Sequence, residues 1–127
     1  MFIAGGIGIT PIMSMLRSLT AEGDARPLRL IYASRSLDRC VFREELMRLA
    51  ELQLLELTFV FRSPPPDWTG ETGRLTPEML DRLLPERRRD HHYFVCGPDE
   101  MMDMVEQELY GRGVHFGQVH SERFDLV

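Results

Sequence analysis

Apolar positions in this chain switch between two spacings. Runs at 2–4, 28–33, 55–61, 92–96 and 114–120 are short, rich in Phe, Tyr, Val, Ile and Leu, and mostly bounded by Gly, Pro or Ser. That is the signature of strands buried in a sheet. Between them apolar residues recur three and four apart, as in Ile12, Met15, Leu16 and Leu19, or Phe42, Leu46 and Leu49, which is the stripe of a helix packed on one side. The first helix is predicted to open at Thr10 as cap with Pro11 in its first turn, and to end near Gly23. A second covers 41–50. A third covers 76–84, with Thr76, Pro77 and Glu78 as cap, first-turn and dipole choices. A fourth covers 100–110 and closes at Gly111 and Gly113. The triple proline at 64–66 predicts a loop.

This alternation predicts an α/β protein: a three-layer, doubly wound sheet of five parallel strands in the order 3-2-1-4-5, with helices on both faces. Residues 1–127 then form one domain. The switch point falls between the first and fourth strands, and ligands of such sheets bind there, outside the carboxyl ends of the strands. The loops at that crevice are 5–11 and 96–99, which are far apart in sequence and predicted to be neighbours in space.

Composition narrows the chemistry. The chain has 127 residues, 43% hydrophobic and 28% charged, with a net charge of −5, an ordinary globular balance. All 15 basic residues are Arg, so Schiff-base chemistry, a phosphate-loop lysine and a lysine base are excluded. The negative charge argues against nucleic acid as a partner. Two cysteines, Cys40 and Cys96, are too few for a zinc or disulfide framework and predict a reducing, cytoplasmic setting with no bound metal. Residues 1–16 are apolar, but Gly5, Gly6, Gly8 and Pro11 interrupt them. No direct membrane insertion is predicted, although a membrane-bound parent protein stays open.

The first candidate site is Gly5-Gly6-Ile7-Gly8-Ile9-Thr10-Pro11. Glycines between a strand and a helix let backbone approach a ligand, and the helix start offers N–H groups and positive dipole to a pyrophosphate. A tight turn without a ligand uses the same residues. The usual dinucleotide fingerprint is absent: read from Gly6, the sixth place of G-x-G-x-x-G is Pro11, and no acid follows the second strand. Ser34-Arg35-Ser36 stands there instead. A guanidinium at that point can clamp a ribose 2′-phosphate, or can simply be solvated. Phe42 reads as a core residue or as a ring against adenine. Cys96 ends the fourth strand and reads as a buried core thiol or as a small group admitting a flat ring. Met101 follows in the same turn and reads as helix packing or as part of the site. Glu122 and Phe124, in the tail, can line a ring site.

Together GGIGITP after the first strand, YASRS after the second, FREEL opening the second helix, CGPDEMM after the fourth and SERF near the end are similar to the NAD(P)-binding domain of the ferredoxin–NADP reductase superfamily. Its members include reductase parts of oxygenases, flavohaemoglobins and ferric-reductase or NADPH-oxidase-like proteins. The resemblance implies that Gly5, Gly6, Ile7, Gly8, Thr10 and Pro11 hold the pyrophosphate and that Ser34 and Arg35 favour the 2′-phosphate of NADPH over NADH. It sets Phe42 beside adenine, Cys96, Gly97, Pro98 and Met101 against the nicotinamide, and Cys96 and Glu122 at the reacting ring, with Phe124 at the flavin boundary. It also implies FAD or FMN held by a flavin-binding barrel, absent here and expected upstream in a longer parent, so that the isolated chain is inactive. The electron acceptor beyond the flavin stays open. A non-catalytic nucleotide sensor and a self-contained small dehydrogenase are the alternatives; the missing sixth glycine, ribose acid and lysine speak against the latter.

Overall fold

The computed structural model describes residues 1–123. Its elements are β1 (Phe2–Gly5), α1 (Ile9–Ala21), β2 (Arg29–Ser34), α2 (Arg43–Glu51), β3 (Glu56–Phe61), β4 (Glu71–Thr72), α3 (Pro77–Leu83), β5 (Tyr93–Cys96), α4 (Asp99–Gly111) and β6 (Val119–Ser121). The sheet has the order β4-β3-β2-β1-β5-β6, and every described pairing is parallel.

The predicted order of five strands is present, with one strand added at the edge. In β4, Glu71 and Thr72 pair with Val60 and Phe61. The proline loop folds back to deliver them: the Trp68 ring meets Phe61 edge-on at 4.8 Å and its Nε1 donates to Glu71 O at 3.0 Å. A two-residue edge strand has too short a pattern to be read from periodicity.

Successive strand residues serve opposite faces. Phe2, Ala4, Leu30, Tyr32 and Cys96 join Ile9, Ile12, Met13, Leu16 and Leu46 in one core, beneath α1 and α2. Ile3, Ile31, Val60, Tyr93 and Val95 join Leu80, Met102, Val105 and Leu109 in the other, beneath α3 and α4. β1 and β5 are neighbours whose following helices cross in opposite directions, to β2 and to β6, and this opens the crevice at their carboxyl ends.

Several boundaries differ from the sequence reading. Gly8, not Thr10, stands at the cap of α1, and no side chain caps it. Phe42 adopts φ 61°, a left-handed conformation, so α2 starts at Arg43. Thr76 does cap α3, its Oγ1 accepting from Met79 N at 3.2 Å. The last strand is shorter than predicted. His115 Nδ1 accepts from Gly117 N, and Gln118 Oε1 accepts from His115 N. These bonds stabilise a tight turn over Phe116–Gln118 before β6.

Candidate functional site

Two turns build the centre of the crevice. Between β1 and α1, Gly6 takes φ +53°, a conformation open to glycine at no steric cost. Gly8 then packs directly on the turn after β5. A Cβ added at Gly8 would overlap the Cys96 carbonyl and stand 2.7 Å from Gly97 N. From the other side, a Cβ on Gly97 would stand 3.1 Å from Gly5 N and 3.2 Å from its Cα. The two turns therefore meet backbone to backbone, and side chains are excluded because the chains are already in contact. The start of α1 lies in this junction without a side-chain cap and points its positive dipole there; the Ile9 N–H is bonded back to Gly6 and Ile7 O, and Pro11 has none.

A cleft of about 430 Å³ opens on one side of the junction, lined by Gly5, Gly6, Ser34, Arg35, Pro98 and Met101 from the sequence reading, and also by Arg62, Arg74 and the acid Glu100. Met101 lies close enough that a Cβ on Gly5 would stand 2.6 Å from its Sδ. Arg35 and Arg62 follow residues paired in register, Ser34 with Phe61. The ladder continues past the strands, with Arg62 N donating to Ser34 O at 3.2 Å and Ser63 N to Arg35 O at 2.8 Å. The two arginines thus stand side by side on one edge of the cleft. Neither has an ion-pair partner among the described residues, whereas Arg74 approaches Glu100 at 3.7 Å. Two arginines from adjacent strands, neither ion-paired among the described residues, line the cleft with Glu100 beside a glycine turn and a helix start, an arrangement that can receive an anion. Ser34 is buried and its hydroxyl donates to Ser36 O at 3.1 Å, so its proton is engaged within the turn.

A second cleft, of about 310 Å³, lies on the α1 side and is lined by Pro11, Ile12, Met15, Phe94, Cys96, His120 and Glu122. Cys96 is 2% exposed, and its Sγ donates to Glu122 O at 3.2 Å. Burial, and then the Glu122 charge, push the thiol above its ordinary range, which favours its protonated form. Cys96 and Glu122 are thus brought together, on the opposite side of the glycine junction from the arginines.

Other predicted residues fall elsewhere. Ile7 is exposed at the tip of the turn, and Thr10 is exposed in the first turn of α1. Phe42 lines neither cleft. It packs half-buried against the α1–α2 core, and the Arg17 guanidinium lies 4.9 Å over its ring, held by Glu45 at 2.7 Å. Phe124 lies outside the described residues. Sequence reasoning missed Arg62 and Arg74. The signal available for Arg62 was its place one residue past a strand, as Arg35 stands past the neighbouring strand. Among the described residues no group of three metal-ligating side chains occurs, and no helix is long and apolar enough to cross a membrane.

Comparison with known proteins agrees with this geometry. The family of oxidoreductase NAD-binding domains matches residues 2–107. The chain is 32% identical over 128 residues to NADH-cytochrome b5 reductase 1 of Debaryomyces hansenii, covering 98% of this chain and 45% of that protein. It is 33% identical over 127 residues to the plasma membrane-associated coenzyme Q6 reductase PGA3 of Saccharomyces cerevisiae, covering 98% and 41%. The chain spans less than half the length of these curated relatives. Among solved structures it is similar to the flavohaem-like FAD/NAD-binding domain of nitric oxide dioxygenase from Vibrio cholerae, with TM-score 0.85, 25% identity and coverage of 97% and 49%. It is also similar to the cytochrome b5 reductase domain of Ulva prolifera nitrate reductase, with TM-score 0.83, 25% identity and coverage of 95% and 47%. With its glycine junction, its two clefts and a match over most of its length, the chain belongs to the oxidoreductase NAD-binding domain family.

Proposed function

We propose that this chain binds NADPH, and more weakly NADH, and presents the nicotinamide to a flavin held by a separate or adjoining flavin-binding domain. The observation that carries the reading is the contact of Gly8 with the Cys96–Gly97 backbone. It sets the start of α1 between two clefts, one lined by arginines and one by a thiol and an acid. A dinucleotide has this division: a phosphate-bearing adenosine end, a central pyrophosphate and a flat ring.

The residues fit such a ligand. The backbone at Gly5, Gly6 and Gly8, together with the positive dipole at the start of α1, holds the pyrophosphate. Arg35 and Arg62 grip a 2′-phosphate from adjacent strands, with Arg74 at the rim. Gly97, Pro98 and Met101 form the wall along which the ligand crosses the junction. Cys96 stays protonated and small beside the nicotinamide, and among the described residues Glu122 is the acid that lines that cleft. When bound, the nicotinamide supplies the hydride; the protein contributes position and electrostatics.

The flavin domain is the proposed partner, and the sheet offers it a surface. On the α1 side, His92, Phe94 and His120 form a ladder of stacked rings at 5.4 and 4.8 Å, continuous with the Cys96 cleft. The test is direct. The purified chain should bind NADP⁺ in calorimetry yet reduce no ferricyanide from NADPH until a flavoprotein is added. Ferricyanide reduction by the chain alone would contradict the proposal.

A further inference from the structure

Residues 121–123, at and just after the end of β6, are held by several bonds to α4 and β5. Arg123 reaches across to α4, where its guanidinium meets Asp99 at 3.0 Å, Asp103 at 2.7 Å and Glu106 at 3.2 Å. Those three acids are spaced four and three apart, one stripe along α4. Ser121 Oγ adds a bond to Glu106 at 2.6 Å. An isolated surface ion pair contributes little, but one arginine shared by three carboxylates is a network, the arrangement in which such pairs do matter.

What this network holds in place is the backbone over Cys96. Glu122 N donates to Val95 O at 3.2 Å, and Glu122 O accepts from the Cys96 thiol. The thiol is thereby covered, at 2% exposure for the residue. Asp99, one arm of the network, belongs to the same Cys96–Asp99 turn that packs on Gly8. Residues 121–123, the thiol and the central turn of the crevice are therefore mechanically linked through one side chain.

We propose that Arg123 is a positioning residue: its grip on the α4 acidic stripe straps residues 121–123 over the Cys96 thiol, and the nicotinamide half of a bound nucleotide reaches the thiol when this strap lifts. The inference rests on the reading of the Cys96 cleft as the nicotinamide side. It predicts that strap release affects the nicotinamide end of the ligand and leaves the adenosine end, across the junction, alone.

The experiment uses the full 127-residue chain with Arg123→Ala, and with Asp103→Asn as a second variant that loosens the same network from the α4 side. Two readouts are taken. The first is the rate at which N-ethylmaleimide labels Cys96, with buried Cys40 as the internal control for folding. Arg123→Ala should raise Cys96 labelling about fivefold with Cys40 unchanged, Asp103→Asn less, and Arg123→Lys should restore part of the protection. Raising the salt to about 0.5 M should speed labelling of the wild type and leave Arg123→Ala flat. The second readout is calorimetry with NADP⁺ and with 2′,5′-ADP, which lacks the nicotinamide. Arg123→Ala should tighten NADP⁺ about fivefold and leave 2′,5′-ADP unchanged. Unchanged Cys96 labelling, or an equal change for both ligands, overturns the proposal. If neither ligand binds the wild type, the nucleotide reading falls instead, and the labelling result reports on the strap separately.

Discussion

The arginine pair gives a quantitative test of the adenosine side. Arg35 and Arg62 leave neighbouring strands in register, and strands lie about 4.8 Å apart. Their charges are then roughly 5–8 Å apart in solvent, where two like charges repel by about 0.5–0.8 kcal/mol at the dielectric of water. Without ligand, the pair costs stability; with a 2′-phosphate between the guanidinium groups, each makes a charge-assisted bond of about 1.5–3 kcal/mol. Arg62→Ala should therefore have opposite effects in the two states. The apo protein should become slightly more stable, by up to about 0.5 kcal/mol in urea unfolding. NADP⁺ should bind about 10- to 100-fold more weakly, while NAD⁺ changes less than about threefold. Arg35→Ala should do the same, and the double variant should bind the two nucleotides alike. Calorimetry with both nucleotides, together with unfolding in their absence, reads all of these quantities. Equal weakening of NADP⁺ and NAD⁺ would remove the pair from the phosphate site, and a less stable apo variant would show that Arg62 has a structural partner.

Two further outcomes follow from the packing. Gly8→Ala drives a methyl into the Cys96 carbonyl, so the two central turns must part by roughly 1 Å at a cost of about 1–3 kcal/mol. Urea unfolding and NADP⁺ binding should both weaken, and a variant with normal stability and affinity would mean that the turns are not in contact. Alkaline pH should also destabilise the fold. Burial pushes the Cys40 thiol up to about 11 and the Tyr32 and Tyr93 hydroxyls up to about 12. Each holds its proton more tightly folded than unfolded, so the stability they contribute is complete below a pH of about 8 and is lost as pH rises through 11 and 12. The urea midpoint should fall steadily above pH 9, less steeply in Tyr93→Phe, and a flat profile to pH 11 would refute the assignment.

Much of the architecture was legible along the chain. Helix stripes and strand runs are local patterns, written in residues a few positions apart, so the α/β alternation, the parallel order and the crevice between 5–11 and 96–99 followed from them. Thr76 announced its cap for the same reason. Where a feature depended on a partner far away, local pattern was silent. The strand at Glu71–Thr72 exists because Trp68 packs on Phe61. Phe42 stands half-buried against the α1–α2 core with the Arg17 guanidinium over its ring, a placement set by residues distant in the chain.

The candidate site divides along the same line. Sequence by itself determined that glycines stand at two strand ends, that every cation is an arginine, and that a thiol closes the strand beside the crevice. Only the tertiary structure decided that Arg62 joins Arg35, that the thiol lies across the junction from both, and that Arg123 holds residues 121–123 against α4. The physical reason is that a residue's own spacing sets its element and its face. Strand register and the close approach of backbones distant in the chain decide which side chains share a space.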